Sequence, residues 1–144
     1  MKYQITITEK QARLLSYALD QFSRLIEGQD SSFQDLMESA WEKRCKKATG
    51  NMMDEEWDGG WGAMREDAER ICKEIKKRFW GLKWNANYGI RYNDEADILY
   101  DMHCVLRHAL WLSQPEPKNH MTVDSNPAHQ FGSEPLATVT LKDE

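Results

Sequence analysis

The chain has 144 residues, of which 40% are hydrophobic and 30% charged, and it carries six Trp, five Tyr and four Phe. This length and aromatic content exclude a disordered chain and predict one folded domain over residues 1–144. The formal net charge of −5 excludes a general nucleic-acid binder, which needs a concentrated basic face, and no apolar run is long enough to cross a bilayer.

The three cysteines Cys45, Cys72 and Cys104 lie roughly 30 residues apart, a spacing that fits neither a disulfide framework nor paired zinc knuckles. Reduced, buried thiols are the simplest interpretation, because a free cysteine packs like a small hydrophobic residue. The first residues do not resemble an export signal. We therefore expect a cytoplasmic protein.

Two short segments, residues 3–8 and 137–141, alternate apolar and polar side chains as a half-buried strand does. In the first segment Tyr3, Ile5 and Ile7 would share one face. Two strands alone are marginally stable, so we expect the pair to form a small sheet packed on helices. The sequence therefore predicts an α+β fold that is predominantly helical.

Four segments repeat apolar residues at helical spacing, between start signals and glycine stops. Thr8 and Gln11 form a capping box for the first helix, and Asp94 is the expected cap of the last. Apolar residues cover nearly half of the last helix, which we expect to be the centre of the core. The predicted helices cover about residues 9–28, 32–50, 64–81 and 94–113.

Three irregular segments separate or follow these helices. Residues 51–62 combine acidic residues, glycines and two tryptophans, a composition that favours a loop. Residues 82–93 are rich in Asn and Gly and predict a tight, ordered loop. Residues 114–136 contain all four prolines and are expected to lie extended over the surface.

One stripe of the last helix combines residue types that suit a planar, anionic ligand. Tyr100, His103, Arg107 and Trp111 lie on neighbouring turns, so a guanidinium fork stands beside aromatic rings and an imidazole. The alternative is that Arg107 pairs with a nearby acid while Tyr100 and Trp111 complete the core.

The loop before this helix offers further ligand contacts. Asn85, Asn87 and Tyr88 would lie near Arg107 if the loop folds over the stripe, and asparagine amides can bind the edge of a base. A loop with a purely structural role is the alternative.

Catalysis and metal binding have weaker support in the sequence. Cys104 and His108 have the i, i+4 spacing of two ligands, with Asp101 adjacent, but no dense companion set follows. Asp101 and His108 could orient one another in a small hydrolase, but no activated Ser or Cys accompanies them. We therefore expect no metal, no cofactor and no enzymatic activity.

The tryptophans Trp57 and Trp61 are the predicted contacts for a protein partner, because exposed tryptophan is enriched at the energetic centres of interfaces. The alternative is that their segment folds back onto the protein's own core.

The order of several short motifs resembles small proteins encoded by tailed bacteriophages. The motifs are Ile5-Thr6-Ile7-Thr8, Ser23-Arg24-Leu25, Asn85-Ala86-Asn87-Tyr88-Gly89-Ile90, Tyr100-Asp101, Val105-Leu106-Arg107-His108 and Ser133-Glu134-Pro135-Leu136. The resemblance implies a phage protein acting in the cytoplasm of an infected bacterium, without an assigned activity.

Together with the stripe on the last helix, this origin favours a counter-defence role. The first hypothesis is a non-catalytic sponge that sequesters a cyclic-nucleotide or cyclic ADP-ribose type immune signal. The alternative is an inhibitor that covers a host protein through Trp57 and Trp61. A homodimer, or a higher homo-oligomer, is expected because a shallow helical face closes better against a symmetric copy.

Overall fold

The computed structural model describes residues 4–29, 31–49, 55–116 and 118–140. Within them the elements in chain order are α1 (Glu9–Ile26), α2 (Ser31–Thr49), α3 (Glu55–Trp80), α4 (Asp94–Leu112) and a 3-10 helix, η1 (Val123–Ser125). The chain forms two compact units, Met1–Ile26 with Gly89–Glu144 and Glu27–Tyr88. Helices α1 and α4 belong to the first unit, α2 and α3 to the second, and the single domain stays a prediction.

The predicted α+β fold is wrong, because the residues that the structure describes are helical or irregular and contain no strand. Residues 4–8 and 137–140 form no ladder, and Tyr3 and Leu141 lie outside the described residues. Ile5 is 75% exposed and Val139 is 38% exposed. Alternation alone does not make a strand, since pairing stabilises a short segment only where its apolar face is covered.

The predicted start of α1 is confirmed by both bonds of its capping box. The Thr8 amide donates to Gln11 Oε1 at 2.8 Å, and the Gln11 amide donates to Thr8 Oγ1 at 3.2 Å. The helix ends at Ile26, two residues before Gly28, whose φ of 75° is the left-handed conformation that glycine adopts without strain.

The face of α1 that packs on α4 is not its most apolar face. The buried residues of α1 are Ser16, Leu19 and Ser23, two of them small and polar. Phe22 and Leu25, which belong to the apolar repeat that identified the helix, are 56% and 36% exposed. Small side chains on the packed face allow a short distance between the two helix axes.

Within the first unit α1 and η1 both pack against helix α4, whereas α2 packs on α3, so α4 is central to one unit and not to a single core as predicted. Its N-cap is Asn93, whose side chain accepts from the Ala96 amide at 3.0 Å, one residue before the predicted Asp94. Asp94 lies in the first turn, where its carboxylate binds Ser133 instead. The predicted end is confirmed by Ser113, the C-cap, whose amide donates to the Ala109 carbonyl.

The proline-containing segment does more than lie over the surface. Residues 118–133, here called the C-terminal strap, include η1 and bind α4 at several points among the described residues. The deepest point is Gly132, which is buried against Ile98. The strap thus supplies packing that a free extended segment would not.

In the second unit α2 and α3 pack against each other. The loop predicted for residues 51–62 is wrong over its described part, which belongs to α3. The helix begins at Glu55 and runs through Gly59, Gly60 and Gly62, while residues 51–54 lie outside the described residues. Each glycine costs about 1 kcal/mol relative to alanine in a helix, a cost that a long helix with acidic residues at its start can absorb.

The segment after α3 is irregular, as predicted, and hydrogen bonds to backbone carbonyl oxygens hold it in place. Gly81 has a φ of 67°, which confirms the left-handed cap. The Tyr88 hydroxyl donates to the Trp80 carbonyl at 2.9 Å, and Lys76 Nζ donates to the Trp84 carbonyl at 3.1 Å. The Tyr88 amide also donates to the Glu27 carbonyl at 2.9 Å.

Candidate functional site

The four candidate ligand residues on α4 all lie in the first unit, and each is partly or fully buried. His103 and Trp111 have clear structural partners. Arg107 has a buried donor without a hydrogen-bond partner in the described structure, and Tyr100 lies beside it. The residues are Tyr100, His103, Arg107 and Trp111.

His103 joins α4 to α1. Its Nδ1 lies 2.9 Å from the Ser16 carbonyl oxygen and 3.0 Å from the Ser16 hydroxyl. Because a carbonyl oxygen can only accept, this contact requires the proton on Nδ1. The imidazole is therefore committed to helix packing through that nitrogen.

Trp111 anchors the C-terminal strap. Its Nε1 donates to the Asn119 carbonyl at 3.0 Å, and its ring stacks on His108 with centroids 5.8 Å apart. His120 meets the same ring edge-on at 5.1 Å, and Lys118 Nζ lies 5.2 Å from its centroid. These contacts occupy Trp111 as a packing residue, in agreement with the alternative considered for it.

Arg107 is the residue of the stripe whose hydrogen-bonding capacity is least used. Its side chain is 20% exposed, and Nε lies 3.5 Å from Asp124 Oδ1. That distance is an ion pair without hydrogen-bond geometry, and within the described part of the chain the buried Nε has no hydrogen-bond partner. A buried donor left without an acceptor costs about 1–3 kcal/mol, so this nitrogen has an unused proton to donate to an external oxygen.

Tyr100 lies near Arg107, and its hydroxyl interacts with the Cys104 thiol. Burial raises the pKa of the Tyr100 hydroxyl, and the interaction with Cys104 raises it further, whereas Arg107 and Arg24 act in the opposite direction. Burial likewise raises the pKa of the Cys104 thiol. Both groups are therefore neutral near pH 7, and two guanidinium groups lie close enough to influence the phenol.

The second guanidinium, that of Arg24, comes from α1. Arg24 Nε is bound to Asp20 at 2.9 Å and 3.0 Å to the two carboxylate oxygens, and the Arg24 side chain is 42% exposed. The site of interest therefore combines an aromatic ring from α4 with cations from both helices. Its charged members are Arg24, Arg107, Asp20 and Asp124.

The residues considered for hydrolysis or metal binding are engaged elsewhere. The Asp101 carboxylate accepts from the Phe131 and Gly132 amides at 2.9 Å each, and His108 Nδ1 lies 3.0 Å from the Asp124 carbonyl oxygen. Among the residues described, no three His, Cys, Asp or Glu side chains come together as a metal site would require. Asp101 of α4 is therefore a structural acceptor for amides of the C-terminal strap.

The loop residues proposed to complete the ligand site belong to the second unit. Asn85 and Asn87 are exposed, whereas Tyr88 is half-buried and uses its hydroxyl on Trp80. Their part in ligand binding stays a prediction.

Trp57 and Trp61, the predicted partner contacts, lie on helix α3 and not in a loop. Their side chains are outside what the structure describes, so their role in an interface stays a prediction.

Three members of the site were missed by sequence reasoning. Asp124 lies 17 positions after Arg107 across an irregular segment, and no spacing rule connects the two. Arg24 and Asp20 have the i, i+4 spacing of a helical ion pair, which is a detectable signal. What that signal lacks is any indication that the pair lies near Tyr100.

No protein-family model, curated protein or solved structure matches this chain. In the portion of the chain that the structure covers, none of the helices combines the length and the apolar character needed to traverse a bilayer.

Proposed function

We propose that the protein binds and sequesters a small, anionic, nucleotide-like signal without chemically changing it. The observation that carries the proposal is the buried Arg107 Nε, which has no hydrogen-bond partner in the described structure and only a loose ion pair with Asp124. A phosphate oxygen would satisfy this donor, since charge-assisted bonds from guanidinium groups to phosphate are short and strong.

The surroundings of Arg107 support a ligand that carries both charge and a ring. Arg24 provides a second cation near Tyr100, and the phenol ring offers an aromatic surface next to both. Arg107 would bind the phosphate, while Tyr100 would contact the base or the ribose. Phe131 of the strap, whose ring centroid is 6.1 Å from that of Tyr100, extends the same aromatic surface.

Asp124 gives the site a means of opening. It is 42% exposed and lies on η1, and its contact with Arg107 is a 3.5 Å ion pair, so its carboxylate can leave Arg107 without breaking a hydrogen bond to it. A phosphodiester has one negative charge and two free oxygens, as a carboxylate has, so it can replace Asp124 on the guanidinium while the rest of the ligand adds contacts to Tyr100. The carboxylate therefore acts as a displaceable substitute for the ligand.

The role of a sponge, as opposed to an enzyme, is supported by the engagement of Asp101 and His108 with backbone groups of the strap. In the phage setting that the sequence resembles, the ligand would be a cyclic-nucleotide or cyclic ADP-ribose type alarm signal of the infected bacterium.

The test is calorimetric titration of the protein with cyclic dinucleotides, cyclic trinucleotides and cyclic ADP-ribose isomers. We expect one class to bind, and expect Arg107→Ala to weaken that binding about 10- to 100-fold, as loss of a charge-assisted hydrogen bond worth about 1.5–3 kcal/mol predicts. The matched control is Arg70→Ala, which removes a guanidinium that pairs with Asp67 on α3.

Failure of every panel member to bind would contradict the proposal. So would binding that Arg107→Ala and Arg70→Ala reduce equally. Recovery of hydrolysed ligand from the heated complex would replace sequestration with catalysis.

A further inference from the structure

The first unit holds a second buried polar atom whose hydrogen-bonding capacity is unused. Gln21 of α1 is half-buried, and its Oε1 atom is buried without a hydrogen-bond partner in the described structure. Such an oxygen destabilises a fold, because it loses its bonds to water and gains none in return. Arg107 Nε on α4 is its counterpart, a buried donor that likewise lacks a hydrogen-bond partner among the described residues.

Gln21 lies on the flank of α1 that borders the candidate ligand residues. It precedes Arg24 by three residues, so the two side chains are neighbours, about 60° apart around the helix. Arg24 is close enough to Tyr100 for its charge to act on the pKa of the phenol. Asp20, the residue before Gln21, is close enough to Cys104 to act on the pKa of the thiol.

The contacts between α1 and α4 also give the relative direction of the two helices. Ser16 is bound to His103. Arg24, two turns later on α1, lies near Tyr100, which precedes His103 on α4. The two helices therefore run in opposite directions.

This direction places Gln21 within reach of a ligand bound to Arg107. Tyr100 and Arg107 are two helical turns apart on α4, a rise of about 10 Å. Gln21 precedes Arg24 on α1, so it is nearer than Arg24 to the Arg107 end of α4. Its amide is thus less than two turns from the guanidinium along the axis of α4, which is comparable to the length of one nucleotide.

A primary amide and a guanidinium select different parts of such a ligand. The guanidinium donates to a phosphate oxygen, whereas the amide can accept through Oε1 and donate through Nε2 at the same time. Adenine offers the matching pair on one edge, an amino group at N6 beside a ring acceptor at N7. Guanine has a carbonyl oxygen in place of that amino group, which leaves Oε1 without a donor. The amide therefore distinguishes the two purines.

We propose that Gln21 binds the N6 and N7 edge of an adenine whose phosphate is bound by Arg107, so that the sequestered signal is an adenine nucleotide. This inference rests on the proposed function, and it adds the identity of the base and a residue that selects it.

The first test compares ligands that differ only at the base. The pairs are cyclic di-AMP with cyclic di-IMP, and cyclic ADP-ribose with cyclic IDP-ribose, in which hypoxanthine carries an oxygen where adenine carries the amino group. In calorimetric titration of the wild type, the adenine member of the pair that binds should bind about 5- to 100-fold more tightly. This is the usual discrimination by a bidentate amide contact.

The second test removes the amide but keeps the length of the side chain. Gln21→Met should reduce the affinity for the adenine ligand to that for its hypoxanthine counterpart, and should leave the latter nearly unchanged. Because the variant also removes an unpaired buried oxygen, the ligand-free protein should be at least as stable as the wild type in urea unfolding. The matched control is Gln114→Met, at an exposed glutamine after α4, which should change neither affinity nor stability.

The outcomes separate this inference from the proposed function. Arg107-dependent binding that does not favour adenine, or a preference for adenine that survives Gln21→Met, would overturn the role of Gln21 and leave sequestration intact. Destabilisation of the ligand-free protein by Gln21→Met would also overturn it, since the amide would then serve the fold. Binding of no cyclic nucleotide at all would overturn both.

Discussion

Aspartates on α4 act mainly as acceptors for backbone amides of irregular segments. Asp97 accepts from the Arg91 amide at 3.0 Å through both oxygens, and Arg91 has a φ of 73°, an unfavourable conformation for a residue with a side chain. Asp97 and Asp101 are each 3% exposed. These two buried carboxylates stabilise the fold by accepting hydrogen bonds from backbone amides. Their presence on one helix is therefore not evidence of a catalytic pair.

The exposed member of this series, Asp94, gives a pH-dependent prediction. Its hydrogen bonds from the Ser133 hydroxyl and the Ser133 amide lower the pKa of the carboxyl below the ordinary 3.8. A lowered pKa adds stability that is present above the ordinary value and is lost as the pH falls through the folded-state value. Ser133→Ala should therefore raise the pKa of Asp94 towards 3.8 and destabilise the protein at neutral pH but not in strong acid.

The measurement is an NMR titration of the Asp94 carboxyl carbon, together with urea unfolding at neutral pH and in strong acid. Ser125→Ala serves as the control, because the Ser125 hydroxyl donates to backbone carbonyls of His120 and Thr122. An unchanged Asp94 pKa in Ser133→Ala would show that the hydroxyl does not control this carboxyl.

At the scale of elements, the C-terminal strap depends on close approach to α4. A Cβ on Gly132 would lie 2.7 Å from Ile98 Cγ1 and 2.8 Å from the Ile98 backbone nitrogen, which cannot move aside. Gly132→Ala should therefore destabilise the protein by about 1–3 kcal/mol, as overpacking of a fitted contact does. Urea unfolding measures the loss, and hydrogen exchange at the Phe131 amide should accelerate.

Gly89→Ala is the matched control, because a Cβ there meets nothing within 4 Å. It should leave the free energy of unfolding unchanged or slightly increased. Equal destabilisation by the two substitutions would contradict the described position of the strap.

Local chemistry predicted the helices well. The Thr8 and Gln11 capping box, the glycine at position 81 and the end of α4 at Ser113 are each set by residues within four positions of the helix end, so spacing alone identifies them. The cap of α4 was displaced by one residue, because Asn and Asp stand side by side and both are good caps.

The remaining features depend on contacts distant in sequence. The alternation around Ile5 and Val139 is typical of two strands, but no strand forms in the described part of these segments, and the two side chains are 75% and 38% exposed. Asp101 is bonded to amides 30 and 31 positions away, a link that no periodicity reveals. The early start of α3 was hidden by glycines, whose average preference for loops was overridden in this helix.

The candidate site was predictable in part. Helical spacing correctly placed Arg107 near Tyr100 on α4, and the structure adds Asp124 and Arg24 to their surroundings. His103 and Trp111 share the stripe but serve packing, which depends on what faces them and not on their own spacing.

At the scale of the whole molecule, the proposed ligand site belongs to one of the two compact units. Asp20 and Arg24 of α1 lie near Tyr100 and Cys104 of α4, and Asp124 of the C-terminal strap pairs with Arg107. The first unit therefore supplies the charged groups of the site from three segments.

The central claim, that Asp124 occupies the place of an external anion on Arg107, is tested most directly by Asp124→Asn. The substitution removes the competing charge but keeps the backbone carbonyl that His108 contacts. Calorimetric titration with the signal that the wild type binds should show an affinity about 1.5- to fivefold higher, since a partly exposed ion pair is typically worth about 0.2–1 kcal/mol. Asp67→Asn, which frees Arg70, should change nothing. Weaker or unchanged binding by Asp124→Asn would contradict the account.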